Sequence, residues 1–186
     1  MTGRYRDPDA RDLDAQPEAA CQAPTAVSHY PRRMHEGDIA PDFELPDENG
    51  TPRRLSGLVA DGPVVLFFYP AAMTPGCTAE SCHFRDMKAE FDAVGAQRIG
   101  ISADAVEKQK RFSDKHSFDF PLLSDPDGAV ATQYGVRRRF TALSPTKRAT
   151  FVIGNDLKVA AVIHSEVRMN VHADRALEAV AKLSAH

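Results

Sequence analysis

The sequence predicts a single α/β domain built on a mixed central sheet that is covered by helices on both faces. Its 186 residues are enough for one good-sized hydrophobic core. Short apolar runs alternate with amphipathic stretches in the order strand, helix, strand, helix, followed by a hairpin and a last helix. There is no internal repeat and no second apolar core region, so one domain is expected.

Residues 1–33 differ in composition from the rest of the chain. Arginine, aspartate and proline recur there with few large apolar residues and no useful period. Such a segment cannot bury enough apolar surface to offset the entropy of the chain, so it is predicted to be a disordered extension. The folded domain is therefore assigned to residues 34–186. Cys21 lies in the extension and is interpreted as an incidental exposed thiol.

The folded part is expected to begin near Gly37 with a small N-terminal hairpin. The segments Ile39–Leu45 and Thr51–Leu55 flank the turn signal Asn49-Gly50. The continuous apolar run Val64–Tyr69 then predicts the first buried strand of the main sheet.

A long helix is predicted to follow this strand. Thr74 is a good N-cap, Pro75 suits the first helical position, and Gly95 is the natural stop, about 20 residues on. Apolar side chains spaced by three and four form one face of this helix: Phe84, Met87, Phe91 and Val94. The remaining predicted elements are strand Gln97–Ser102, helix Asp104–His116, strand Phe120–Leu123, helix Ala129–Tyr134, the strand pair Ala149–Ile153 and Leu157–Ile163, and a C-terminal helix that carries Ala173, Ala176, Leu177, Val180 and Leu183.

Composition and charge exclude several classes of function. The formal charge is −3, which leaves no basic footprint for nucleic acid or for an anionic membrane surface. No stretch approaches the ~20 apolar residues of a membrane helix, and the N-terminus has no apolar signal-peptide region. Three cysteines do not make a disulfide framework in a chain of this length, so a reducing, cytoplasmic location is predicted.

Cys77 is the candidate reactive residue. It falls in the first turn of the predicted long helix, where unpaired N–H groups and the positive end of the helix dipole stabilise a thiolate. The Thr74 hydroxyl, three residues earlier, is close enough to donate to the sulfur or to a substrate oxygen. Arg148, at the start of a predicted core strand, is a candidate cationic partner, although a surface position at the strand end fits its spacing equally well.

Cys82 follows Cys77 by five residues. On one helix such positions are ~7.5 Å apart along the axis, which places their Cα atoms about 8 to 9 Å apart. A disulfide requires less than ~7 Å, so pairing would require the first helical turns to unwind. An inert helical thiol is the alternative interpretation of Cys82. A zinc site formed by Cys77, Cys82 and His83 is disfavoured, because the C-x4-C spacing is poor and no second ligand pair is evident.

Several other polar residues receive structural interpretations. Four histidines show no metal-ligand spacing and are expected at the surface or in partly buried structural positions: His83, His116, His164 and His172. Glu80 either orders the start of the long helix by hydrogen bonding or is an ordinary glutamate on the helix surface.

Residues 70–77, PAAMTPGC, fit the motif P-x-x-x-T-x-x-C and so resemble the active site of peroxiredoxins. The continuation TAESCHFR, residues 78–85, is similar to the bacterioferritin-comigratory, or Q-type, branch of that family. The resemblance extends from Gly37 to the C-terminal helix. It implies a thioredoxin-like fold and a thiol peroxidase that requires no metal, haem or flavin.

The resemblance also implies a role for each motif residue. Cys77 is similar to the peroxidatic cysteine, Thr74 to its hydrogen-bonding threonine and Pro70 to the proline that shields it. Arg148 resembles the active-site arginine, and Cys82 lies where this branch often places a resolving cysteine. The implied cycle reduces hydrogen peroxide or an organic hydroperoxide, passes through a sulfenic acid and an intramolecular disulfide, and ends with reduction by thioredoxin or a similar dithiol. A monomer or weak dimer is expected.

Two other functions compete with the peroxidase. A disulfide oxidoreductase would need a C-x-x-C pair, typically next to tryptophan, and the sequence has neither. A redox sensor that switches a partner interaction through Cys77 and Cys82 stays open as an alternative. Ala71, Ala72 and the short stretch 135–148 depart from the usual pattern of the branch, which bears on substrate preference.

Overall fold

The computed structural model describes residues 33–138 and 145–183. The predicted extension therefore lies outside the described residues, apart from Arg33, and so does Cys21. The boundary between this extension and the folded domain stays a prediction.

The β-strands form a hairpin and a central sheet. The hairpin pairs β1 (Glu44–Pro46) with β2 (Pro52–Arg54), which confirms the predicted N-terminal hairpin with shorter strands. The central sheet has the order β5-β4-β3-β6-β7 and consists of β3 (Val64–Phe68), β4 (Gln97–Ser102), β5 (Leu122–Ser124), β6 (Ala149–Ile153) and β7 (Val159–His164). Strands β3, β4 and β5 are parallel, whereas β6 and β7 run antiparallel to their neighbours, so the sheet is mixed as predicted.

Helices cover both faces of the central sheet. They are α1 (Leu55–Leu58), α2 (Pro75–Asp86), α3 (Lys88–Ala93), α4 (Val106–His116), α5 (Ala129–Gln133) and α6 (Asn170–Leu183). Alternate side chains of β3 enter different cores: Val64, Leu66 and Phe68 pack with residues of α1 and α5, whereas Val65 and Phe67 pack with residues of α2, α4 and α6. Among the described residues, no helix has both the length and the apolar character needed to cross a membrane.

The single long helix predicted from Pro75 to Gly95 is wrong. Met87 has φ −90° and ψ 23°, outside the α-helical range, and separates α2 from α3. Phe84 and Phe91, on either side of the break, are both fully buried with ring centroids 5.9 Å apart. The apolar periodicity therefore continues across the interruption, which is why the sequence pattern did not reveal it. Gly95, at φ +66°, follows α3 in the left-handed conformation expected of a stop glycine.

The strand register brings two distant chain segments together at one end of the sheet. Strand β6 is antiparallel to β3, with Phe68 opposite Ala149. The loop that leaves β3 at Tyr69 and the segment that enters β6 at Arg148 therefore meet at the same end of the sheet. Because the loop after β3 leads into α2, the start of α2 lies at this end of the sheet as well.

Gly62, in the turn before β3, lies where the chain leaves no room for a side chain. Its φ is +144°, and an ideal Cβ at this position would lie 2.4 Å from the carbonyl oxygen of Gly95. We predict that Gly62→Ala lowers the free energy of unfolding by at least about 2 kcal/mol, because alanine meets both an unfavourable backbone conformation and a main-chain atom. The measurement is urea unfolding.

The control for this prediction is Gly57→Ala on α1. Gly57 is exposed, and a Cβ added there has no heavy atom within 4 Å. Its stability should change by less than about 1 kcal/mol. Equal stabilities of the Gly57 and Gly62 variants would contradict the prediction.

Candidate functional site

Cys77 lies where the sequence predicts it, in the first turn of α2. The helix begins at Pro75, and Thr74 occupies the N-cap position. The Cys77 side chain is a free thiol that is only 1% exposed. Its sulfur is therefore close to the unpaired amides of the helix start, whose N–H groups favour negative charge, and is largely screened from bulk water.

A carboxylate next to β4 fixes the turn in front of α2. Met73 in this turn has φ +69°, a left-handed conformation that is unusual for a residue with a side chain. Asp104 Oδ2 accepts a 2.6 Å hydrogen bond from the Ala72 amide and a 2.8 Å bond from the Ser102 hydroxyl. Asp104 thereby connects this turn, which positions Cys77, with Ser102 at the end of β4.

Arg148 contacts the sulfur of Cys77 directly. Its Nη2 donates a hydrogen bond to Cys77 Sγ at 3.4 Å, and its side chain is 5% exposed. Arg148 reaches the sulfur because β6 begins beside the end of β3. A guanidinium keeps its charge at physiological pH, so this contact stabilises a thiolate by charge and by hydrogen bonding. The structure thus brings together the two residues that the sequence analysis paired.

Glu80 binds the other side of the Arg148 guanidinium. Arg148 Nη1 donates to Glu80 Oε2, and Glu80 is completely buried. Burial raises the pKa of Glu80 to about 8, and Arg148 counteracts only part of that rise. Burial acts to lower the pKa of Arg148, but the nearby Glu80 and Cys77 more than offset this and raise it. Glu80 therefore positions the guanidinium without fully neutralising it, which leaves positive charge facing the sulfur.

A neutral histidine of α6 lies behind Glu80. His172 Nδ1 is 3.7 Å from Glu80 Oε1 and 2.9 Å from the Thr150 hydroxyl oxygen. Its Nε2 is 2.9 Å from the Ser165 carbonyl oxygen. Because a carbonyl can only accept, Nε2 carries the proton and the Thr150 hydroxyl donates to Nδ1. Burial lowers the pKa of His172 to about 4, so the ring is neutral at pH 7.

Thr74 and Pro70 flank the turn before α2. Thr74 is exposed, and its hydroxyl donates to the Ala71 carbonyl oxygen at 3.0 Å instead of capping the helix. A hydroxyl has one proton to donate, so in this state Thr74 does not also donate to the sulfur. Pro70 is half-buried, directly after the buried Tyr69. The roles of Thr74 and Pro70 toward a substrate stay predictions.

Cys82 lies almost one and a half turns beyond Cys77 on the same regular helix. It is half-buried, and its thiol is free. The helical spacing puts the two Cα atoms about 8 to 9 Å apart, beyond the ~7 Å limit of a disulfide. The folded α2 therefore belongs to the dithiol state, and pairing of the two cysteines requires its first turns to unwind.

The sequence analysis missed how Glu80, Thr150 and His172 contribute to the site. Glu80 carried a usable signal, because residues three apart share a helix face and a buried Cys77 therefore implies a buried Glu80. Thr150 lies two residues after Arg148, a spacing that shares one face of a strand. His172 had no signal of this kind, because its contacts depend on how α6 packs against the rest of the domain.

Across 33–138 and 145–183, no group of three or more His, Cys, Asp or Glu side chains is arranged to hold a metal ion. His83, a ligand in the disfavoured zinc alternative, lies 2.8 Å from Asp174 Oδ1. This contact connects α2 to α6.

The neutral state of His172 makes stability depend on pH. Its pKa is about 4 in the folded protein against an ordinary value of 6.5, so the unfolded chain takes up the proton first as the pH falls. The stabilising contribution of the neutral ring is complete above pH 6.5 and is lost as the pH approaches 4. We predict that, between about pH 7 and about pH 4.5, the wild type loses about 2 to 3 kcal/mol more unfolding free energy than His172→Gln. Urea unfolding at both pH values measures the losses, and equal losses would refute the prediction.

Comparison with known proteins identifies the family. Residues 37–162 match the AhpC/TSA family. A putative peroxiredoxin of Mycobacterium tuberculosis is 61% identical over 145 residues, which cover 77% of this chain and 94% of that protein. The crystal structure of peroxidoxin BcpB from the same species superimposes with a TM-score of 0.78 and 58% identity, covering 81% of this chain and 99% of that one. The bacterioferritin comigratory protein of Xanthomonas campestris superimposes with a TM-score of 0.70 and 31% identity, covering 76% of this chain and 92% of that one.

The family match covers the part of the site that contains Cys77 and Arg148 and ends before α6, which carries His172. It spans α2, which carries both cysteines, and Arg148, which directly precedes β6. The structural matches confirm the thioredoxin-like fold that the resemblance implied. The chain belongs to the AhpC/TSA family, as a peroxiredoxin of the bacterioferritin-comigratory, or Q-type, branch, and is a thiol-dependent peroxidase.

Proposed function

We propose that this peroxiredoxin reduces hydrogen peroxide and organic hydroperoxides at Cys77, forms an intramolecular disulfide with Cys82 and is recycled by thioredoxin or a similar dithiol. The observation that carries the proposal is the 3.4 Å contact from Arg148 Nη2 to Cys77 Sγ at the start of α2. The structure of the X. campestris relative is connected with alkyl peroxide reduction, which supports the organic substrate class.

In the first step the Cys77 thiolate attacks one peroxide oxygen in line with the O–O bond. The S–O bond forms, the O–O bond breaks, and the departing oxygen takes up a proton to give water or an alcohol. Cys77 is oxidised to a sulfenic acid while the peroxide is reduced. Arg148 stabilises the thiolate before attack and the charge on the departing oxygen during it. Thr74 donates to the same oxygen after its hydroxyl leaves the Ala71 carbonyl, and Pro70 shields Cys77.

In the second step the first turns of α2 unwind and the Cys82 thiol attacks the sulfur of the sulfenic acid. The S–S bond forms, the S–O bond breaks, and the hydroxyl group leaves as water with the thiol proton. Glu80 lies between the two cysteines on α2, so unwinding removes it from Arg148. The dithiol state is therefore stabilised by a buried contact that the disulfide state lacks.

The third step requires an external dithiol. Thioredoxin or a similar protein reduces the Cys77–Cys82 disulfide by thiol–disulfide exchange, and α2 refolds around Arg148. A reducing compartment supplies such partners, in keeping with the cytoplasmic location predicted from the cysteine content. We also keep the expectation from the sequence analysis that the protein is a monomer or a weak dimer.

Mass spectrometry after one equivalent of hydrogen peroxide tests the proposal. We predict that the wild type loses two hydrogens and that peptide mapping joins Cys77 to Cys82. Cys82→Ser should stop at a Cys77 sulfenic acid, with one added oxygen, because its resolving thiol is absent. Cys21→Ser is the matched control and should behave like the wild type. The nucleophile assignment fails if Cys77 remains a free thiol in every variant.

The number of peroxide equivalents that the protein consumes distinguishes an enzyme from a redox sensor. With excess peroxide, thioredoxin and its reductase, the wild type should consume many equivalents of peroxide. Consumption that stops after one equivalent would favour a redox sensor that uses the same cysteine pair.

A further inference from the structure

Cys82 faces a histidine from a neighbouring helix. Cys82 Sγ on α2 and His116 Nδ1 at the end of α4 are 3.9 Å apart, within hydrogen-bonding reach of a sulfur atom. We infer that His116 is a catalytic residue of the resolving step, as the general base that takes the proton from the Cys82 thiol. This inference deepens the proposed function and rests on the resolving role of Cys82.

Two aromatic side chains fix the orientation of the His116 ring. Phe118 stacks against it, with ring centroids 5.6 Å apart and planes inclined by 20°. Phe112 meets it edge-on, with centroids 5.3 Å apart and planes at 76°. Ser117 takes a left-handed conformation with φ 54°, which turns the chain so that Phe118 comes back over the ring. A ring packed in this way keeps Nδ1 directed at the sulfur of Cys82.

His116 has the protonation state that a base requires. Burial lowers its pKa, and the positive charges of Lys115 and Arg85 lower it further. The ring is therefore neutral at pH 7, with one nitrogen able to accept a proton. Arg85 is also close enough to Cys82 for the two to interact electrostatically, so a thiolate formed there has a cation beside it.

Arg85 keeps the Cys82 half of α2 attached to α4 while the Cys77 half unwinds. Its Nη1 donates a 2.7 Å hydrogen bond to the His116 carbonyl oxygen, at the C-terminal end of α4. Cys82 lies about one turn before Arg85, whereas Cys77 lies at the opposite end of α2. Unwinding of the first turns therefore moves the Cys77 sulfenic acid towards Cys82, which stays beside its base.

The step balances without a further reagent. His116 Nδ1 accepts the proton of Cys82 Sγ, and the resulting thiolate attacks the sulfur of the Cys77 sulfenic acid. The S–S bond forms, the S–O bond breaks, and the hydroxide leaves as water with the proton from His116. Cys82 is oxidised and Cys77 is reduced to the disulfide level, so one thiol and one sulfenic acid give one disulfide and one water.

Quenched-flow mass spectrometry separates this step from the oxidation of Cys77. Reduced protein is mixed with one equivalent of hydrogen peroxide, and the masses at successive times give the rates of sulfenic acid formation and of its conversion to disulfide. We expect His116→Gln to slow the conversion by about tenfold or more, with Cys77 oxidised at the wild-type rate. His83→Gln is the matched control, because His83 is next to Cys82 in the chain but contacts Asp174. It should leave both rates unchanged.

A second measurement detects the base without the resolving step. In the Cys77→Ser background, alkylation of Cys82 by iodoacetamide at about pH 7, read by peptide mapping, should be several-fold slower after His116→Gln. A purely structural role for His116 predicts the reverse, because loosened packing exposes Cys82 and speeds its alkylation.

The possible outcomes distinguish a failure of the role of His116 from a failure of the resolving role of Cys82. Normal oxidation of Cys77 with equal conversion rates in the wild type and His116→Gln would overturn the role of His116 alone. Faster alkylation of Cys82 in the variant would overturn it as well. A wild type that forms the Cys77 sulfenic acid but no disulfide with Cys82 would remove the resolving role of Cys82, and the role of His116 with it.

Discussion

The contact between the Arg148 guanidinium and the sulfur of Cys77 is the interaction on which the rest of the site depends. Both side chains are nearly inaccessible to water, and a buried charge is costly unless it is paired or hydrogen-bonded. The guanidinium meets this requirement with two partners, the Cys77 sulfur and the Glu80 carboxyl group. The guanidinium therefore places a charged hydrogen-bond donor directly against the sulfur of Cys77. The reactivity of the sulfur and the stability of the folded site have the same physical origin.

The side chains that build the site around Arg148 come from different elements of the fold. Glu80 shares α2 with both cysteines, so in the proposed cycle its contact with Arg148 is lost when the first turns unwind. His172 lies on α6 and keeps its hydrogen bonds to Thr150 and Ser165, which do not involve α2. Strand β6, which carries Thr150, and helix α6, which carries His172, are therefore expected to stay in place during the cycle. In the proposed cycle, the start of α2 is the part that moves between the dithiol and disulfide states.

Much of this arrangement could be predicted from the sequence, because it follows from local patterns. The apolar run of β3, the Asn49-Gly50 turn and the helix start at Pro75 each have a short-range physical cause, and the structure has all three. The break at Met87 was not predicted, because an amphipathic period can continue across a single non-helical residue. Arg148 was placed at the sulfur by a motif resemblance, since its spacing alone also fitted a surface position.

The contacts that join separate helices could not be predicted in this way. His172 meets Glu80 only because α6 packs against α2, and His116 meets Cys82 only because α4 ends beside it. Neither histidine is part of a local sequence motif that would indicate its contact. Glu80 is an intermediate case, because its helix face follows from its distance to Cys77 but its partner does not. Side chains that act through tertiary packing are thus the part of this site that requires a three-dimensional structure.

The rate constant for the reaction of Cys77 with hydrogen peroxide in Arg148→Lys tests the central claim most directly. Lysine keeps the charge but lacks the planar fork that reaches Cys77 and Glu80 together, so we predict a fall of about 100-fold or more. Arg98→Lys is the matched control, because Arg98 is also 5% exposed but binds Asp119 and the Phe84 carbonyl oxygen. It should retain the wild-type rate constant. A wild-type rate constant in Arg148→Lys would contradict the claim that the guanidinium makes Cys77 reactive.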